Sequence, residues 1–459
     1  MNTPKKHTST VTTVLITLFI CLISTLKSHA ASDTNQILKI INHKISNEKM
    51  GLGVAVVVID GDKTEFFSIG ESHIESKRKV NNKTLFEIGS ITKTFTATAL
   101  ASMVIEGKVK LDDPVQMYLP KNVQLPIKNN KPITLLSLAN HSSGLPRLPT
   151  NMPVKNQLDP YADYSIELMY KFLNNHQLEY EVGTKQEYSN LGMGLLGHVL
   201  ALIDNKSYQD MLTSRVLKPL TMKNTFVTVP SNQTNHLSNG HNGELKPTPL
   251  WNLNSLSGAG SIKSNIQDMA IFLKRNMDKK QLNEALSLAQ TSSFEFQGNN
   301  TGLAWIISPS KNGEIFMHDG ATGGFSSFIG FNKTTNKGIV ILTNTAFNMN
   351  DVGYHYLNNS LDSIRLVTPQ RIKLSNEQLN KLNGKFALTP EFVLSITNEE
   401  NQLFVQATGQ QKLPLAAISS TEFVNNKVKV KIAFEVDSNN TALSLTMYQG
   451  GQTLPAKKL

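Results

Sequence analysis

Apolar residues change their spacing several times along this chain, and each spacing predicts an element. Ile37, Leu38, Ile40, Ile41 and Ile45 recur at helical intervals. Gly51 to Ile59 is a valine-rich apolar run, Asp60-Gly61-Asp62 is a turn signal, and Thr64 to Ile69 reads as the returning strand of a hairpin. A long helical pattern opens at Ser90 and stops at Glu106-Gly107-Lys108. A short helix is expected over Thr134 to Ala139, and another near Ser165 to Leu173 within the loop-rich stretch 147–185. Leu191 to Leu202 is strongly helical, and Gly258-Ala259-Gly260 precedes a further helix over Asn265 to Asn276.

Strands return late. Ile315 to Met317, Gly324 to Phe331 and Gly338 to Leu342 read as a meander with a turn at Asn332 to Lys337. Strands therefore bracket a helical middle. A compact fold pairs the early hairpin with the late meander in one antiparallel sheet covered by helices, an α/β (α+β) arrangement. The pattern shifts near Pro369. Ser375-Asn376-Glu377-Gln378 resembles a capping box. Phe392 to Thr397, Leu403 to Ala407, Val428 to Val436 and Leu443 to Tyr448 follow as short strands, with turns at Thr408-Gly409 and Gln449-Gly450-Gly451. The expected division is a leader over 1–30, a main domain over 31–365 and a small all-β accessory domain over 366–459.

The leader has the features of a secretory signal. Lys5-Lys6-His7 supplies a positive start, Val11 to Ile23 is largely apolar, and Ser28-His29-Ala30 offers small residues for cleavage. The apolar stretch is short for a membrane span, so no stable span is expected once the leader is removed. The single cysteine, Cys21, lies inside it, which excludes a disulfide framework from the remainder. Leu18-Phe19-Ile20 lacks the small residue that lipid attachment at Cys21 would need. Export without cysteines points to a bacterial periplasm or exterior. Net charge is +10, and +7 once Lys5, Lys6 and Lys27 are set aside. No basic stripe with interleaved aromatics accompanies it, so nucleic-acid binding is not expected. The eleven histidines include no zinc-ligand spacing and no glycine-rich phosphate loop occurs, so neither a metal nor another cofactor is expected.

Ser90-Ile91-Thr92-Lys93 carries the chemistry. Residues three apart share a helix face, so the Lys93 amine sits beside the Ser90 hydroxyl. Serine needs a neighbouring base to become a nucleophile, and lysine serves only when burial or nearby positive charge draws its pKa down. The same spacing occurs at Ser24/Lys27, Ser46/Lys49, Ser76/Lys79 and Ser308/Lys311. Those pairs fall in the leader, at a helix end, in the charged run Lys77-Arg78-Lys79 read as a solvated loop, and at a turn. Only Ser90 stands where a strand-like run and a glycine meet a long helix. Tyr188-Ser189-Asn190 precedes the Leu191 helix and offers a phenol for proton exchange, provided the lysine's charge keeps its pKa low, beside an amide that can orient substrate. Tyr356-Leu357-Asn358 has the same form. His318-Asp319-Gly320-Ala321-Thr322-Gly323-Gly324 lets a ligand approach a backbone edge, where the Ala321 and Ser90 N–H groups can form an oxyanion hole. His241-Asn242-Gly243 is its counterpart in a polar loop.

In this order the three motifs resemble those of the penicillin-recognising serine enzymes: class C β-lactamases and their relatives among D-alanyl-D-alanine peptidases, D-amino-acid peptidases and esterases. The similarity covers roughly residues 35–365 and includes Phe86-Glu87-Ile88-Gly89-Ser90, Ile133 to Leu136, His141-Ser142-Ser143-Gly144-Leu145-Pro146 and Gly302-Leu303-Ala304-Trp305. The resemblance implies an antiparallel sheet flanked by helices, an all-α subdomain beside it, an active site between them and an appended small β domain. It implies that Ser90 is acylated, Lys93 assists, Tyr188 is the general acid/base, Asn190 contacts substrate, and His318, Gly320 and Ala321 line the other wall. His318-Asp319-Gly320 replaces the Lys-Thr-Gly usual in class C enzymes, exchanging a permanent cation for a group half-charged near pH ~6.5. Thr92 stands where serine or alanine is preferred. The implied substrate is a small molecule or peptide. A β-lactam comes first, and a D-Ala-type amide or a short acyl ester is the alternative. A binding protein that acylates once and stays blocked is a further one.

Overall fold

The structure is a computed structural model that describes residues 33–48, 50–278, 283–296, 298–364, 366, 372–389, 392–410, 412–425, 428, 430–449 and 452–459. The leader, Pro369 and the turn glycines Gly450 and Gly451 lie outside the described residues. Two compact units divide the chain, residues 1–42 with 51–364 and residues 43–50 with 365–459.

Residues 33–46 form helix α1, and the apolar run becomes strand β1 (Gly53–Asp60), returning as β2 (Lys63–His73). Seven of the eight β1 residues are buried, which is why this strand reads as a continuous apolar run without alternation. Arg78–Lys79 (β3) adds an edge strand, where the charge run suggested a solvated loop. Arg78 is held there because its guanidinium donates to the Asn235 and Leu237 carbonyls and to Ser72 Oγ. Phe86–Glu87 (β4), Thr225–Phe226 (β5), Gly240–His241 (β6), Pro247–Thr248 (β7) and Lys263–Ser264 (β8) make two small sheets. The late strands are β9 (Phe294–Phe296), β10 (Asn299–Thr301), β11 (Ile306–Ser310), β12 (Gly313–Ala321), β13 (Ser326–Asn332) and β14 (Lys337–Thr343). Ser308 lies inside β11, so the turn expected there begins only after Ser310.

The early hairpin and late meander do join. Val56 pairs with Ile341 across the antiparallel β1/β14 ladder, giving a nine-stranded sheet in the order β3-β2-β1-β14-β13-β12-β11-β10-β9. Along β13 the two faces alternate. Ile329 and Phe331 enter the main core, while Gly330 and Phe328 meet the helix Asn350–Leu357.

The helical middle supplies α2 (Thr92–Ile105), α3 (Leu135–Ala139), α4 (Ile166–Asn175), α5 (Asn190–Ile203), α6 (Tyr208–Leu212), α7 (Ser257–Gly260), α8 (Ile266–Met277) and α9 (Glu284–Ala289), with α10 (Asn350–Leu357) closing the other face. Helix α2 is buried on nearly every side. Its threonines are tolerated there because Thr94 and Thr98 donate to the Ile91 and Thr94 carbonyls at 2.8 and 2.7 Å. Phe95 stacks on Phe272 of α8 with ring centres 3.9 Å apart, fixing α2 to the helix that covers the sheet.

The second unit carries α11 (Asn376–Asn380), capped by the Ser375/Gln378 box expected from sequence. Eight strands, from Gly384–Thr389 to Gln452–Lys458, close into an antiparallel barrel. Phe386, Phe423, Ile432 and Phe434 fill its interior, as in small barrels generally. Closure depends on Phe386 meeting Lys458, a pairing that no local turn signal announces.

Candidate active site

Ser90 sits on a single 3-10 turn, Gly89–Ile91, directly before α2. Its neighbour Gly89 has φ +49°, a left-handed conformation open to glycine, and a Cβ there would fall 2.6 Å from the Ala321 nitrogen. The end of β12 is thus pressed against the turn that carries the serine. Lys93, in the first turn of α2, is completely buried. Its Nζ lies 2.9 Å from Ser90 Oγ and donates to the Ala259 carbonyl at 2.7 Å. Burial, aided by the positive charge of Arg147, holds the Lys93 pKa well below the usual lysine range.

Tyr188 lies beside this pair, and Ser90 is one of the groups that act on its hydroxyl. The phenol does not have the low pKa expected beside a charged lysine. Burial instead pushes Tyr188 up to about 12. Burial thus shifts both groups toward their uncharged forms, the amine by lowering its pKa and the phenol by raising it. Lys93 Nζ stands 4.7 Å from the Tyr188 ring centre, and Arg147 Cζ stands 5.0 Å from it.

Ser189 caps α5 by accepting the Gly192 N–H at 2.8 Å, which fixes Asn190 as the first helical residue. The Asn190 backbone N–H donates to the Arg147 carbonyl, while its side-chain Oδ1 is buried without a hydrogen-bond partner. His318 is 2% exposed, with Nδ1 2.6 Å from the Asp319 carbonyl. Its ring centre is 6.4 Å from that of Tyr188. Burial lowers its pKa to about 4, so the half-charged state expected from sequence is not reached near neutral pH. Gly320 is buried and Ala321 exposed, with the Ala321 nitrogen facing Gly89. The sequence-chosen residues Ser90, Lys93, Tyr188, His318, Gly320 and Ala321 lie near one another, and Asn190 opens the helix that follows Tyr188.

The site thus sets a serine hydroxyl beside a buried amine, with a phenol next to them. A family model described as Beta-lactamase matches residues 43–361. The chain belongs to the beta-lactamase family. It is a serine hydrolase of the β-lactamase and DD-peptidase type. A beta-lactamase of Pseudomonas fluorescens is 26% identical over 351 residues, spanning 68% of this chain and 94% of that one. A D-alanyl-D-alanine carboxypeptidase/endopeptidase of Escherichia coli K12 is 28% identical over 307 residues, spanning 63% and 78%. The solved structure of a beta-lactamase/D-alanine carboxypeptidase from Yersinia pestis, complexed with citrate, superposes with a TM-score of 0.63 at 25% identity. That match covers 72% of this chain and 98% of the other. The α/β fold with its helical layer is that of class C β-lactamases, followed here by the closed barrel.

Four features of the site were not singled out by sequence. Ala259, in a glycine-flanked segment expected only to precede a helix, belongs to the helical turn α7 and supplies the carbonyl that holds Lys93. The His141 ring lies tilted against Tyr188 with ring centres 4.6 Å apart and accepts the Ser189 N–H at Nδ1, leaving Nε2 buried and unpartnered. Trp251, with Tyr161 at 5.0 Å, lies against Gly323, where a Cβ would fall 2.8 Å from the indole nitrogen. Arg147 follows the quoted stretch His141 to Pro146, and nothing in its spacing marks it. Its position over Tyr188 arises from a tertiary contact.

Proposed function

We propose that this chain is an exported serine hydrolase that opens β-lactam amides through an acyl-enzyme at Ser90. The observation that carries the reading is the buried Lys93 amine, its pKa lowered by that burial, 2.9 Å from Ser90 Oγ. The neutral amine takes the Ser90 proton as Oγ bonds to the carbonyl carbon. The developing oxyanion is received by the main-chain N–H groups of Ser90 and Ala321. As the carbon–nitrogen bond breaks, Tyr188 gives its proton to the leaving nitrogen and recovers one from the ammonium that Lys93 has become. Water then attacks the ester, gives its proton back through the same groups, and releases Ser90. The Asn190 Oδ1, buried and without a partner, is suited to accept an N–H of the substrate.

A second reading, cleavage of D-alanyl amides, is favoured by His318 standing uncharged where class C β-lactamases carry a lysine. Export rests on the leader, with its Lys5-Lys6 start and apolar Val11 to Ile23. Among the described residues no helix is long and apolar enough to cross a membrane. The test compares a chromogenic cephalosporin, a D-Ala-D-Ala peptide and a short acyl ester on the wild type and on Ser90→Ala. Turnover and covalent labelling by penicillin are expected to vanish in the variant. Undiminished labelling would reject Ser90, and a burst of one equivalent without further product would indicate a blocked binder.

A further inference from the structure

This inference rests on the acyl-transfer reading: we infer that Arg147, and no group on strand β12, receives a carboxylate of the substrate on the leaving-group side of Ser90. The loop that carries Arg147 is pinned to the start of α5, because its carbonyl accepts the Asn190 and Leu191 N–H groups at 3.0 and 3.3 Å. The guanidinium lies over the ring of Tyr188, the residue that donates to the leaving group, with Cζ 5.0 Å from the ring centre. Arg147 is exposed, and none of the ion pairs among the described residues includes it.

The nearby acids are engaged elsewhere. Asp319 accepts Asn350 Nδ2 at 3.0 Å, Asp163 pairs with Lys155, and Glu187 is held by Tyr180 and Lys185. Asp159 accepts the Asn252 N–H at 2.9 Å, and Glu87 faces Lys263 and the Trp251 N–H. His318, the residue in the place of the missing lysine, turns Nδ1 to the carbonyl of Asp319 and stays buried. Among the described residues around Tyr188, the positive charge open to a ligand is therefore that of Arg147.

A guanidinium offers two parallel donors that match both oxygens of a carboxylate. One residue of extended peptide spans about 3.3–3.6 Å, so the terminal carboxylate of a substrate cleaved at its last amide lies about that far past the carbonyl that Ser90 attacks. The substrate class follows from this: amides or lactams whose amine side carries a carboxylate.

The test uses two boronic acids that bond reversibly to a serine hydroxyl, one bearing a carboxylate and the other its neutral amide counterpart. The readout is the ratio of their inhibition constants. The wild type is expected to prefer the carboxylate by about tenfold or more, less so at high salt. Arg147→Met is expected to bring the ratio near unity, and Arg147→Lys to keep part of the preference. If Arg147→Met weakens both probes equally and the ratio survives, the guanidinium acts on Tyr188 or on the loop, and the assignment is overturned. If the wild type binds the neutral boronate and shows no preference, the Arg147 assignment alone falls. If it binds neither, the Ser90 reading fails first.

Discussion

A methyl group on Gly320 would fall 2.1 Å from the carbonyl oxygen of Ile88. That oxygen also accepts Ser327 Oγ at 2.8 Å, so strands β12 and β13 are both locked to the residues just before Ser90. The nucleophile and the wall facing it are held in register by backbone contact, with no room for a side chain between them. Gly320→Ala is therefore expected to force β12 away from Gly89. Overpacking of this kind costs roughly 1–3 kcal/mol. Loss of kcat/KM should exceed what the stability change explains, because the Ala321 N–H moves with the strand. Urea midpoints and steady-state kinetics on the same preparation would separate the two effects. Full activity in the variant would show that the strand position is immaterial.

The pH profile follows from Lys93 and Tyr188. Activity needs the unprotonated amine, whose pKa burial holds well below the ordinary lysine value of about 10.4. It also needs the protonated phenol, pushed up to about 12. A profile of kcat/KM is expected to fall toward low pH as Lys93 takes up its proton. Tyr188 contributes no alkaline limb until close to pH 12. Sequence alone suggests a bell-shaped profile whose basic limb comes from this pair, whereas the lowered Lys93 pKa gives the pair an acid limb. Between the depressed Lys93 pKa and about 10.4 the unfolded chain binds a proton that the native one does not, so this residue makes stability rise with pH. Lys93→Met is expected to abolish turnover and raise the thermal midpoint at pH 7. A lower midpoint would mean that the amine's hydrogen bonds outweigh the cost of burying it.

Asp204 gives a prediction about the scaffold. Its carboxylate accepts Arg215 Nε and Nη2 at 2.5 and 2.6 Å and Lys108 at 2.9 Å, joining the end of α5 to the segment after α6. Hydrogen bonds from Arg215 lower its pKa to about 2. A carboxylate depressed in this way stabilises the fold above pH ~4, and that contribution is lost as pH falls toward 2. Asp204→Asn is expected to cost roughly 2 kcal/mol at pH 7 in a denaturation experiment. The difference from wild type should close near pH 2. A gap that persists there would assign the effect to packing.

Much of the fold was legible because its signals are local. The valine run of β1, the turn at Asp60 to Asp62 and the Ser375/Gln378 box are each decided by neighbours in sequence. The edge strand at Arg78 and the turn α7 were not, because what holds them is distant: the Asn235 and Leu237 carbonyls for one, and Lys93 for the other. In the second unit, individual strands could be read from alternation, but the pairing of Phe386 with Lys458 that closes the barrel could not.

The chain by itself determined which candidate groups are present. A serine three residues before a lysine at a helix start, a Tyr-Ser-Asn and a His-Asp-Gly are covalent facts that survive any folding. Their states were decided only by the tertiary structure. Whether Lys93 is charged, whether Tyr188 holds its proton and whether His318 can supply a cation all depend on how much water and which charges surround them. Those surroundings come from α5, α7 and β12, elements tens to hundreds of residues away. Sequence names the ionisable groups, and burial sets their protons.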